Sequence, residues 1–151
     1  MLSFVGINAS GKTTILKLIT FVCRMLSNES VNNTSYNEVF DGLQENGQVT
    51  FDVYFYASNR SVNLLHSVIC KVDGKFVFTE EYLKSKLSVK IKNKADIFAF
   101  DQFKPVLKRS YDEAFLLDDV SIMVAFNKSH KDNFSYHRYA VVYEHQRVEH
   151  F

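Results

Sequence analysis

The sequence predicts one α/β (α+β) domain spanning residues 1–151, and three observations carry that expectation. A glycine-framed loop at 6–11 joins a short apolar run to an amphipathic helical stretch. A long region of alternating apolar and polar residues follows it, and a β-branched, aromatic segment comes near the end. With 151 residues, 46% of them hydrophobic and 23% charged, the chain can bury one core but not two. The expected division is a strand and helix over 1–27, an antiparallel β subdomain over 48–104, and a helix with a terminal strand over 105–151.

The elements follow in order. Leu2 to Val5 reads as a short buried strand, and Thr13 to Leu26 places Ile15, Leu16, Ile19, Val22, Cys23 and Leu26 at helical spacing. Ser27 to Asn37 is a polar loop. From Gln48 to Ala57, Val49, Phe51, Val53 and Phe55 alternate with Thr50, Asp52, Tyr54 and Tyr56, the pattern of a half-buried strand. A second strand runs from Val62 to Val72, and Asp73-Gly74 turns the chain into Phe76-Val77-Phe78. Leu87, Val89 and Ile91, alternating with lysines, extend the sheet. The apolar run from Ile97 to Phe103 is too short to class. Pro105 suits the first turn of a helix. Ser110 and Glu113 have capping-box spacing ahead of a helix over about 111–126, and Arg138 to Glu144 reads as the last strand.

Eighteen basic and seventeen acidic residues leave a formal charge of +1, which excludes a chain steered to nucleic acid or to a membrane surface by its overall field. Cys23 and Cys70 read as core hydrophobes of a reducing compartment. The first residues carry no signal-peptide pattern, and no apolar run approaches the ~20 residues a membrane span needs. A soluble, cytoplasmic chain is expected.

Gly6-Ile7-Asn8-Ala9-Ser10-Gly11-Lys12-Thr13 matches Gly-x-x-x-x-Gly-Lys-[Ser/Thr] at every fixed position, after a strand-like run and before a helix. The chemistry requires that order. Glycines let the backbone wrap a phosphate, successive N–H groups turn inward, and the helix adds its positive end. Gly6, Asn8, Ala9, Ser10, Gly11 and Thr14 would form the cradle for ATP. Lys12 would reach the β- and γ-phosphates, and the Thr13 hydroxyl would complete the shell of Mg²⁺.

The stretch Gly6-Ile7-Asn8-Ala9-Ser10-Gly11-Lys12-Thr13-Thr14-Ile15-Leu16-Lys17-Leu18-Ile19 also resembles prokaryotic ABC-like ATPases. More specifically, it is similar to the AAA-type ATP-binding proteins grouped with overcoming-lysogenization nucleases and with abortive-infection and other phage-defence systems. The resemblance implies a P-loop NTPase fold, an ABC-ATPase-like lobe whose antiparallel β subdomain follows the P-loop helix. It implies Mg-ATP as cofactor and a second ATPase head or missing lobe as partner (a homodimer included), and an association with DNA would rest on the lysines of 84–94 rather than on the resemblance. Such families place their signature segment, Walker B aspartate and catalytic glutamate later, in chains of several hundred residues. The expectation is therefore an apparently truncated head that binds ATP and needs further elements to hydrolyse it.

Other residues suggest competing chemistry. Ala114 to Asp119 has the ending of a Walker B strand, in which Asp118 would hold the Mg²⁺ shell and Asp119 would orient water, although the Ser110 capping box favours a helix there. Asn93-Lys94-Ala95-Asp96 matches the guanine-reading motif of small GTPases, without the Asp-x-x-Gly switch that accompanies it. Lys86, Lys90, Lys92 and Lys94, expected on one strand face, would either touch nucleic-acid phosphates or protect a solvated edge. Gln44 and Gln48 are Q-loop candidates, and His130, His137, His145 and His150 lack a tight metal-ligand spacing. A non-catalytic interaction module, exposing part of an aromatic content of 15%, is the reading of a different class.

Overall fold

The computed structural model describes residues 12–33, 37–57, 60–110, 116–129 and 141–142. Helix α1 (Lys12–Leu26) lies against a sheet built from β1 (Gln48–Ala57), β2 (Ser61–Val72) and β3 (Lys75–Leu87). Short elements complete it: α2 (Lys94–Phe98), β4 (Pro105–Lys108), α3 (Met123–Ser129) and β5 (Val141–Val142). The strand order is β4-β3-β2-β1-β5, and every pairing is antiparallel. No described helix is long and apolar enough to cross a membrane.

Alternation builds the long meander. Phe51, Val53 and Phe55 of β1 lie opposite Ser67, Leu65 and Asn63 of β2, and this face packs on Phe21, Val22 and Met25 of α1. Asp73 and Gly74, both at positive φ, form the two-residue turn between β2 and β3. The partner of Val68 is Glu80 and that of Ile69 is Phe78, so Thr79 is the extra residue of a β-bulge. The bulge resets the alternation of β3. Before it, Phe76 and Phe78 face the α1 core; beyond it, Glu81 and Leu83 do. Tyr82, Lys84 and Lys86 consequently take the opposite face, where Val62, Leu64 and Phe100 form a second, smaller core.

Several expectations need correction. The P-loop NTPase, ABC-ATPase-like fold class requires a parallel core sheet, whereas the described sheet is antiparallel in every pairing, with β1, β2 and β3 joined by hairpins rather than helical crossovers. The buried side of α1 is Leu18, Phe21, Val22 and Met25; Ile15, Leu16 and Cys23 are exposed. The apolar content on both sides of this helix obscured its phase. Val89 falls in a 3-10 turn at Ser88–Lys90 and Ile91 lies beyond it, so the sheet does not continue there. Pro105 opens an edge strand, where its missing N–H is tolerated, instead of a helix. Residues 116–122 form bends and turns, and the helix begins only at Met123. Leu2 to Val5, 111–115 with the Glu113 cap, and most of the last strand fall outside the described residues; of the latter, Val141 and Val142 pair with Phe55 and Tyr54.

Candidate functional site

Of the phosphate-binding motif, Gly6 to Gly11 lie outside the described residues. Lys12 is the first residue of α1, and Thr13 and Thr14 are exposed in its first turn. That turn contains no acidic residue, so nothing in it opposes the positive end of the helix dipole. Beside it opens a cleft of about 280 Å³, walled by Thr14, Ile15, Val39, Leu43, Val49 and Gln48. Gln48 thus borders the start of α1. Gln44 sits in the preceding turn, its carbonyl accepting the Gly47 N–H.

The two Walker B candidates stand elsewhere. The Asp119 carboxylate accepts the Ser30 hydroxyl at 2.5 Å, and its carbonyl accepts the Val31 N–H at 2.9 Å. Ser30 and Val31 follow the C-terminal end of α1. A helix of fifteen residues is about 22 Å long, so Asp119 is held at the opposite end from Thr13. Asp118 is exposed, and its carbonyl accepts the Phe78 N–H at 2.7 Å. These contacts make 116–120 a clasp along β3 and correct the assignment of Asp118 and Asp119 to a magnesium site at Thr13.

The guanine-type spacing also has a local explanation. Asn93 caps α2: its side chain accepts the Asp96 N–H at 3.0 Å, while the Asp96 carboxylate accepts the N–H groups of Asn93 and Lys92 at 3.1 and 2.8 Å. The backbone bonds of Lys92 and then Asn93 hold the Asp96 carboxyl below the usual carboxylate range. Both side chains are engaged in a capping box.

The lysines do not share one strand face. Lys86 is 6% exposed on β3, and its ammonium donates to the carbonyls of Asp96 and Ala99, the latter at 2.8 Å. It also lies 4.0 Å from the Phe100 ring centroid. Lys86, Lys90 and Lys104 line a second cleft of about 450 Å³ together with Asp96, Gln102 and Phe103. Burial pushes the Lys86 ammonium below its ordinary range.

Two further arrangements escaped sequence reasoning. Glu81, fully buried, accepts hydrogen bonds from Ser67 (3.1 Å), Ser121 (2.7 Å), the Ile122 N–H (2.9 Å) and the Arg109 guanidinium (2.7 Å). Burial pushes its carboxyl up, against the pull of Arg109, Ser121 and Ile122. On the opposite face, His66 Nδ1 and Asp52 Oδ1 lie 2.7 Å apart, and the imidazole stacks on Tyr82 with centroids 4.6 Å apart. Asp52 and His66 are cross-strand partners, a juxtaposition visible only once register is known. The Asp52–His66 couple provides an oriented imidazole, but among the described residues no hydroxyl or thiol is hydrogen-bonded to it.

Comparison with family models, with curated proteins and with solved structures finds no match to this chain.

Proposed function

We propose that the chain binds Mg-ATP through residues 6–14 at the N-terminus of α1. The observation that carries this reading is the position of Lys12, Thr13 and Thr14 as the opening residues of a fifteen-residue helix whose first turn has no acidic side chain. A glycine-framed loop entering such a helix is a phosphate-binding device by virtue of its N–H groups and the helix dipole, whatever sheet stands beside it. In this proposal Lys12 pairs with the β- and γ-phosphates, Thr13 supplies an oxygen to Mg²⁺, and the apolar cleft beside Ile15 and Val49 takes the base. The activity proposed is binding. Turnover would require a magnesium-holding carboxylate and a water-orienting group near Thr13, and Asp119 is tied to Ser30 at the other end of the helix. The unpaired cysteines Cys23 and Cys70 fit a cytoplasmic setting.

Calorimetric titration of ATP and of GTP, each with Mg²⁺, into the wild type and Lys12→Ala tests the reading. Saturable ATP binding that Lys12→Ala weakens at least about tenfold is expected, with little phosphate release. GTP should show no advantage, because Asn93 and Asp96 are held in the α2 cap. A folded wild type that binds neither nucleotide overturns the proposal.

A further inference from the structure

The sheet face opposite α1 carries a second cleft. β3 sends Lys86 into the space between the strand and the segment 94–104, where an edge-protecting lysine would instead extend into water. The side chain is fixed there by the Asp96 and Ala99 carbonyls and by the Phe100 ring. An ammonium has three N–H donors, and the two carbonyls take two of them. Lys90 joins it: the ammoniums of Lys86 and Lys90 lie 5.6 and 5.5 Å from the centroid of the same ring, Phe103. Lys104 completes a cleft of about 450 Å³.

Charge in this cleft is unbalanced. The carboxylate bordering it, Asp96, caps α2 through the N–H groups of Lys92 and Asn93 and keeps its charge, so one anion faces three ammoniums and offsets only part of their charge. Three cations lining one cleft, two of them over the same aromatic ring, repel one another unless an anion enters. The volume is that of a small-molecule site, and lysines act as point-charge partners for phosphate. Phe103 and Ala99 supply an apolar wall, and the Gln102 amide is a further donor.

We propose that this cleft binds a small, multiply charged phosphate ligand, held by Lys86, Lys90 and Lys104 against the Phe103 ring. It is separate from the loop at Lys12: α1 covers the face bearing Phe51 and Phe55, and the cleft lies on the face bearing Val62 and Leu64. The ammonium of Lys86 forms the floor and those of Lys90 and Lys104 form the rim.

Inorganic pyrophosphate is the probe, titrated calorimetrically into the wild type, Lys12→Ala and the double variant Lys90→Gln/Lys104→Gln made in the Lys12→Ala background, so that the Lys12 loop contributes nothing to the comparison. The rim lysines are exposed, so their replacement leaves the fold intact, whereas Lys86 also holds the 94–104 segment and is left in place. Saturable binding by the wild type and by Lys12→Ala, weakened at least about tenfold in the double variant, is the expected result. Amide shifts centred on Ala99 to Lys104 should accompany it. Failure of the wild type to bind, binding unchanged in the double variant, or binding already lost in Lys12→Ala would each overturn the proposal. So would tight binding of a single-stranded oligonucleotide that pyrophosphate does not displace, since that outcome assigns the lysines to a nucleic-acid surface. ATP binding at the Lys12 loop can fail without affecting any of these results.

Discussion

Glu81 and Arg109 form an ion pair at 2.7 Å with side chains 0% and 4% exposed, at the junction of three strands and a loop. Arg109 reaches it from just beyond β4 and also donates to the carbonyls of Leu117 and Val120. Glu81 collects Ser67 of β2 together with Ser121 and Ile122 of the loop. Each partner's hydrogen-bonding capacity is met by groups that the other helps to position, so the pair fixes segments distant in sequence to one another.

Removing one member should therefore cost more than removing both. Arg109→Met leaves a buried carboxylate without its counter-charge, and Glu81→Gln leaves a buried guanidinium; each should lower unfolding free energy by about 3–5 kcal/mol. Replacing both with apolar residues of similar volume should recover most of that loss. Urea unfolding of the three variants measures the difference, and a loss in the double variant equal to the sum of the two single losses would show that the pair is not coupled.

Asp119 should behave as a structural acceptor. Its carboxylate takes the Ser30 hydroxyl at 2.5 Å and its carbonyl the Val31 N–H, beyond the far end of α1. Asp119→Ala is expected to lower stability by about 1–2 kcal/mol and to leave Mg-dependent ATP affinity unchanged. Loss of the magnesium dependence with unchanged stability would instead return this residue to the nucleotide site.

The meander was legible because β1 to β3 are amphipathic with period two and Asp73-Gly74 is a hairpin turn; the sequence bounds of β1 coincide with those observed. The phase of α1 was not, since Ile15 and Leu16 are as apolar as Leu18 and Phe21, and only docking on Phe40 and Phe51 decides which side is buried. The Ser110-to-Glu113 spacing suggested a helix, yet the Glu81 and Arg109 bonds draw residues 117–122 into a clasp. Asn93 and Asp96 carried two motifs at once, the guanine-reading and the capping box, and the cap is satisfied within six residues of backbone. Lys86 was read as an exposed strand lysine because the segment that covers it, 94–104, had no recognisable element type.

The α2 cap gives a pH dependence of defined sign. Backbone N–H groups of Lys92 and Asn93 hold the Asp96 carboxyl below its usual range, so the folded state binds its proton less readily than the unfolded chain. The stabilisation is present above the ordinary carboxylate pKa and is lost as pH falls through the depressed folded value. A carboxyl-detected NMR titration should place the Asp96 midpoint below that of a peptide spanning 90–98, with amide exchange in α2 accelerating as the group protonates. A midpoint equal to the peptide's would refute the capping assignment.

The bulge at Thr79 sets which half of β3 is buried. Without it, the phase established by Phe76 and Phe78 would continue through 80, 82 and 84, turning Tyr82 and Lys84 toward α1 and Glu81 and Leu83 away from it. Deleting Thr79 should nevertheless preserve a cooperative transition, because it makes Phe78 and Glu80 adjacent, joins the Ile69–Phe78 and Val68–Glu80 pairings in one regular ladder, and keeps Glu81 on the side of Arg109, Ser121 and Ile122. Thr79→Val keeps the residue count and forfeits the hydroxyl contacts to the Val68 carbonyl and the Cys70 thiol, both at 3.4 Å. It should cost no more than about 1 kcal/mol. Thermal melts followed by circular dichroism test both: a deletion variant that loses its cooperative transition while Thr79→Val melts sharply would mean that the extra residue is itself required for the β2–β3 pairing, beyond setting its phase.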